Sequence, residues 1–119
     1  MSRVLVTGAD GFIGSHLAEL LVQQGHSVRA MVLYNSFGQA GWLDDSPMRS
    51  EIDLFSGDVR DPDSCAGAAE SVDIIFHLAA LIAIPYSYRA PRSYIDTNTT
   101  GTLNICAAAL NAGVNKIIV

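Results

Sequence analysis

A chain of 119 residues has room for one domain with its own core; half its residues are apolar and 16% are charged, which suits a buried α/β sheet and excludes disorder. The formal net charge is −5 and no Lys/Arg cluster is present, so nucleic acid and an anionic membrane are excluded as expected partners, and a bound phosphate would be held mainly by backbone N–H groups. Cys65 and Cys106 lie far apart, with no CxxC and no His at ligand spacing, so we expect reduced cysteines, no metal and a cytoplasmic protein.

Val4-Leu5-Val6-Thr7 reads as a short apolar strand that starts too early to follow a signal peptide. A glycine-rich turn, Gly8 to Gly14, comes next, then an amphipathic helix from Ser15 to Gln24 with Ile13, Leu17, Leu20 and Leu21 on one face. Gly25 fits a helix-ending position. Val28 to Leu33 is a second strand, and its continuous apolar run suits a parallel strand covered on both sides. Tyr34 to Glu51 has no clear period and reads as a long loop, with Trp42 and Leu43 inside it.

Ile52 to Asp58 is a third strand, and Asp61-Pro62 reads as a cap and first turn of a short helix through Ala69. Asp73 to Ala80 is a fourth strand, and Leu81 to Pro91 a loop with two prolines and two tyrosines. The apolar stretch from Ile74 to Pro85 is too short to span a bilayer. Pro91 to Ala112 reads as a long helix with Tyr94, Asn98, Gly101 and Ile105 on one face, ended by Gly113. Lys116 to Val119 begins a fifth strand. Alternating strands and helices predict an α/β, Rossmann-like doubly wound parallel sheet of order 3-2-1-4-5. Its ligand crevice should lie at the carboxyl ends of strands one and four.

Gly8, Gly11 and Gly14 are spaced GxxGxxG between a strand and a helix. The first permits a tight turn, the second lets backbone approach a pyrophosphate, and the third lets the helix sit close to the strand. The helix N-terminus then offers unpaired N–H groups and a partial positive charge. The plain alternative is a glycine turn that only turns.

The run Thr7 to Leu17 resembles the TGxxGFIGSHL of the extended short-chain dehydrogenases/reductases, the NAD-dependent epimerase/dehydratase family. Gly57-Asp58-Val59-Arg60-Asp61 resembles that family's GDxRD, His77-Leu78-Ala79-Ala80 its HxAA, and Asn98 to Asn104 its NxxGTxN, all in the family's order. The resemblance implies that Phe12 and Ile13 present amides to the pyrophosphate and that Asp58 accepts from the adenine amino group, with the Val59 amide beside it. Leu78, Ala79 and Ala80 would lie by the ribose near the nicotinamide, and Asn98 would hold the helix behind the catalytic residues. Asp58 could instead cap a turn, Asn98 could bond a neighbouring carbonyl, and His77 reads better as a satisfied buried histidine than as a catalytic one.

The end of strand two, Leu33-Tyr34-Asn35-Ser36, has neither the acid that accepts from a ribose 2′-hydroxyl nor an Arg for a 2′-phosphate. Asn35 and Ser36 could bond a ribose hydroxyl, and NAD is expected over NADP. A narrower resemblance lies in Val32 to Phe37 with Gly41-Trp42-Leu43, and in Leu81 to Tyr88. These look like bacterial 4,6-dehydratases acting on UDP- or GDP-N-acetylglucosamine, as in legionaminic acid synthesis. This implies a nucleotide-sugar partner, a homo-oligomer, and substrate contact at Tyr86, Ser87 and Tyr88, unless that loop merely packs on the core. A 4-epimerase, a nucleotide-sugar decarboxylase and a non-catalytic binding module are the alternatives.

The family's Tyr-x-x-x-Lys is absent: the fourth residues after Tyr34, Tyr86, Tyr88 and Tyr94 are Gly38, Ala90, Arg92 and Asn98, and the only lysine is Lys116. The chain is therefore expected to be the cofactor-binding part, residues 1–119, of a longer enzyme and inactive alone, with no catalytic residue of its own. Its fifth strand, left on an edge, is expected to promote self-association or disorder of the last residues.

Overall fold

A computed structural model describes residues 2–34, 36–81 and 84–119, with backbone alone at 84–86. Five strands, β1 (Arg3–Thr7), β2 (Ser27–Leu33), β3 (Ile52–Gly57), β4 (Ile74–His77) and β5 (Lys116–Ile118), form one parallel sheet. Its order is β3-β2-β1-β4-β5, as the alternating pattern predicts. The order reverses direction between β1 and β4, which opens a crevice at their carboxyl ends.

Side chains alternate across the sheet, and each face has its own core. Val4, Val6, Ala30 and Val32 pack with Ala18 and Leu21 of α1 (Phe12–Gln23) and with Leu43. Leu5, Met31 and Ile75 pack on the other face with Cys65 of α2 (Pro62–Ala68) and with Ile105 and Ala108 of α5 (Gly101–Ala112). Burial pushes the Cys65 thiol up to about 11, so it behaves as a small apolar side chain.

The face that α1 presents matches the expected stripe only in part: Leu21 is buried and Leu17 packs against the core. Gly14, Ser15, Ala18 and Leu21 are buried, whereas Ile13 is 71% and Leu20 48% exposed. Close approach to the sheet selects small residues in the first turns, and larger side chains pack only farther along. The helix ends as expected: Gly25 (φ +88°) donates to Val22 O and His26 N donates to Leu21 O, the paired bonds of a Schellman ending.

The loop after β2 is more ordered than its sequence suggests. Two short 3₁₀ turns, Gly41–Asp45 and Arg49–Glu51, lie within it, and Leu43 is fully buried. Residues expected as loop after β4 include the helix α3 (Ile84–Arg89), whose first turn holds Pro85 where a missing N–H breaks no helical bond. The expected long helix runs unbroken from 91 to 112, but in three parts. α4 (Pro91–Tyr94) passes into a π-helical turn (Ile95–Thr100) and then into α5. Gly101 lies against Val59, where a Cβ would stand 2.7 Å from Val59 Cγ2.

Candidate functional site

A crevice of about 680 Å³ opens over the carboxyl ends of β1 and β4. Gly8 and Asp10 to Gly14 form its floor, Met31 to Leu33 and Gly57 to Arg60 one wall, and Leu78 to Leu81 the other, closed by Ser93 and Thr97. The floor depends on absent side chains. Gly8 has φ +67°, and a Cβ there would stand 2.8 Å from the backbone of Leu78 and Ala79. A Cβ on Gly14 would stand 2.2 Å from Gly8 O. Gly11 begins α1 with no side-chain cap, and the first helical bond is Ser15 N to Gly11 O at 3.0 Å. The amides of Phe12, Ile13 and Gly14 therefore have no partner in the helix, and all three residues line the crevice. Phe12 stacks edge-on against Trp42, with centroids 5.1 Å apart.

Asp58 does cap a turn: its Oδ1 accepts from Arg60 N at 2.9 Å. Its carboxylate also receives the Arg60 guanidinium, with Nη2 to Oδ2 at 2.6 Å and Nε to Oδ2 at 2.9 Å. These bonds hold the Asp58 carboxyl below its ordinary value, against a smaller opposing effect of burial. Arg60, the one cation lining the crevice among the described residues, is thus already folded onto a carboxylate.

A hydrogen-bond chain behind the crevice fixes the loop after β4. Thr7 Oγ1, fully buried, accepts from Leu78 N at 3.0 Å and Ala79 N at 3.1 Å. With both lone pairs used, its own proton must go to His77 Nδ1, 2.7 Å away. His77 is then the neutral Nε2–H tautomer, donating to Thr102 Oγ1 at 3.0 Å, and Thr102 donates to Asn98 O at 2.7 Å. Because Thr7 draws the Leu78 and Ala79 amides away from the sheet, β4 stops at His77 rather than running on to Ala80. Asn98 itself clamps Leu81: its Nδ2 donates to Leu81 O at 2.9 Å and its Oδ1 accepts from Leu81 N at 2.8 Å.

Burial holds the His77 imidazole below its ordinary value. A proton on Nδ1 would also confront a Thr7 oxygen with no lone pair left. The unfolded chain binds that proton at about pH 6.5 and the folded chain only at lower pH. Stability from this site is therefore complete above about pH 6.5 and falls as pH drops through the interval down to the folded value. Melting temperatures between pH 7.5 and 5.5 should decline, and in His77→Asn the decline should be shallower.

The structure thus brings together Gly8, Gly11, Phe12, Ile13, Gly14, Asp58, Val59, Leu78, Ala79 and Ala80, ten of the residues expected in one site. Ser36 is exposed and does not line the crevice, and neither do Ser87 and Tyr88, which lie on α3. Asn98 acts from outside it, through Leu81. Asn35 and the side chain of Tyr86 lie outside the described residues. Asp10, Leu33, Arg60, Ser93 and Thr97 line the crevice without having been foreseen. Ser93 and Thr97 are four apart on one helical stretch, a spacing visible in the sequence.

A doubly wound parallel sheet with a glycine turn at its switch point makes this a Rossmann-like α/β protein of the short-chain dehydrogenase/reductase kind. The family model for GDP-mannose 4,6-dehydratase matches residues 5–119, and the chain belongs to that family. A 3 beta-hydroxysteroid dehydrogenase/Delta 5→4-isomerase from Mycobacterium tuberculosis is 37% identical over 99% of this chain and 31% of its own length. A UDP-N-acetyl-alpha-D-glucosaminuronate decarboxylase from Bacillus cytotoxicus is 35% identical over 98% of this chain and 35% of its own. The structure of a UDP-glucose-4-epimerase from Stenotrophomonas maltophila, with bound NAD and formylated UDP-arabinopyranose, superposes with a TM-score of 0.85 at 32% identity, covering 98% of this chain and 36% of that one. The chain spans about a third of the length of these relatives. No helix among the described residues is long and apolar enough to cross a membrane.

Proposed function

We propose that this chain is the dinucleotide-holding portion of an NAD-dependent nucleotide-sugar enzyme, and that the parent reaction is a 4,6-dehydration. The uncapped start of α1 at the crevice carries the reading: unpaired amides of Phe12, Ile13 and Gly14 stand over a floor where Gly8 and Gly14 admit no Cβ. The crevice volume suits an extended ligand. When bound, NAD would take up and return a hydride. Residues of this chain would bind and orient it: the α1 amides hold the pyrophosphate, the Asp58–Val59 segment faces the adenine, and Ala79 and Ala80 leave room beside the ribose.

The dehydration would remove a hydride from sugar C4, eliminate water across C5–C6 and return the hydride to C6. The segments Val32 to Phe37 and Leu81 to Tyr88 support that choice among family reactions, and Tyr86, Ser87 and Tyr88 remain the proposed sugar contacts. With no Tyr-x-x-x-Lys in the sequence, the chain alone is proposed to be inactive, and a cytoplasmic homo-oligomer is the proposed setting of the parent protein. The decarboxylase and epimerase relatives support the second reading, another nucleotide-sugar reaction on the same cofactor site.

Titration with NADH, followed by quenching of Trp42, tests the cofactor reading; saturable quenching is expected, and its absence overturns the reading. Mass spectrometry of UDP- and GDP-N-acetylglucosamine incubated with the longer parent protein tests the reaction. A product lighter by one water supports dehydration, and an isomer of unchanged mass overturns it in favour of epimerisation.

A further inference from the structure

β2 ends without the acid that commonly accepts from a ribose 2′-hydroxyl, yet the fold brings a carboxylate to that place from another element. Asp10, in the turn between β1 and α1, lines the crevice, and its Oδ2 accepts from the Leu33 N–H at 3.4 Å at the carboxyl end of β2. Its backbone is pinned from behind. Asp10 O accepts from Trp42 N at 3.1 Å, and Gly41 packs so closely that a Cβ there would stand 2.3 Å from the same oxygen. The first 3₁₀ turn after β2 therefore fixes where Asp10 stands.

We infer that Asp10 is a specificity-determining residue: its carboxylate accepts from the 2′-hydroxyl of the adenosine ribose and turns a 2′-phosphate away. An ionised carboxylate offers about four acceptor positions and the long Leu33 bond takes one, so a sugar hydroxyl finds a free lone pair. A 2′-phosphate would bring up to about two negative charges to the same spot. Arg60, the cation lining the crevice, is committed to Asp58 through Nε and Nη2 and offers that phosphate little compensation. The assignment rests on the dinucleotide reading and adds which dinucleotide is taken and why.

The test is calorimetric titration of the chain with NADH and with NADPH, for wild type, D10N and D10S. D10N keeps the shape and an oxygen for Leu33 N–H while removing the charge; D10S removes the charge with a smaller side chain, should D10N fold poorly. Wild type should bind NADH at least about tenfold more tightly than NADPH. Either variant should bring the ratio to within about threefold, mainly by improving NADPH. Equal wild-type affinities, or a ratio unchanged in both variants, would overturn the role of Asp10 alone. Binding of neither dinucleotide by wild type would overturn the cofactor reading and this inference with it.

Discussion

Gly14→Ala should unfold this protein at markedly lower urea than wild type, although alanine is the better helix former. The propensity gain is about 1 kcal/mol. Against it stands a methyl carbon 2.2 Å from Gly8 O and 2.9 Å from Ala9 Cα, both main-chain atoms that cannot yield without opening the turn. Overpacking of this kind costs about 1–3 kcal/mol and more where backbone must move, so we expect a net loss of about 3 kcal/mol. The check is the urea midpoint, which should fall while the slope of the transition stays unchanged. Gly11→Ala is the control: its Cβ would meet only Gly8 O, at an ordinary 3.4 Å, so the loss should be only that of alanine at an N-cap, about 1 kcal/mol.

Thr7→Val should have an effect of similar size for a different reason. Valine fills the same space, so no cavity forms, but the Leu78 and Ala79 amides and His77 Nδ1 lose their common partner. A buried polar group left unpaired costs about 1–3 kcal/mol. Leu78 is partly exposed and water can answer for its amide, so about 3 kcal/mol in total is the expected loss. Thr7→Ser keeps the oxygen and should recover most of it. Hydrogen exchange gives a second readout: the Leu78 and Ala79 amides should exchange faster in Thr7→Val and stay protected in Thr7→Ser.

The sheet order and most of the crevice were legible in the sequence because both follow from local signals. Apolar runs mark parallel strands, and the Gly8–Gly14 turn stands between a strand signal and a helix signal. What the sequence concealed depends on long-range geometry. Of the apolar stripe on α1, Leu17 and Leu21 pack on the core, but Ile13 and Leu20 face outward, because in the first turn the Gly8 carbonyl leaves no room for a side chain at Gly14. Ala79 and Ala80 read as strand, yet Thr7, some seventy residues earlier, takes the Leu78 and Ala79 amides out of the ladder. Asn98 looked like a polar intrusion on a packed face. It is exposed and holds Leu81 by both backbone groups, a pairing across 17 positions that no periodicity reveals. No local signal marks Asp10, because the N–H it accepts from, that of Leu33, comes 23 residues later at the end of β2.

The π-helical turn at Ile95–Thr100 has a geometric consequence for everything on either side of it. One extra residue within a helix is worth roughly 100° of rotation about the axis. Downstream, the helix must aim Ile105, Ala108 and Ala109 at the sheet; upstream, it must aim Ser93 at the crevice, which Thr97 lines from within the turn itself. A continuous 3.6-residue winding has a single phase and fixes both directions together. The wide turn is a phase step that lets one uninterrupted rod obey two separate azimuths, one set by the core and the other by the crevice.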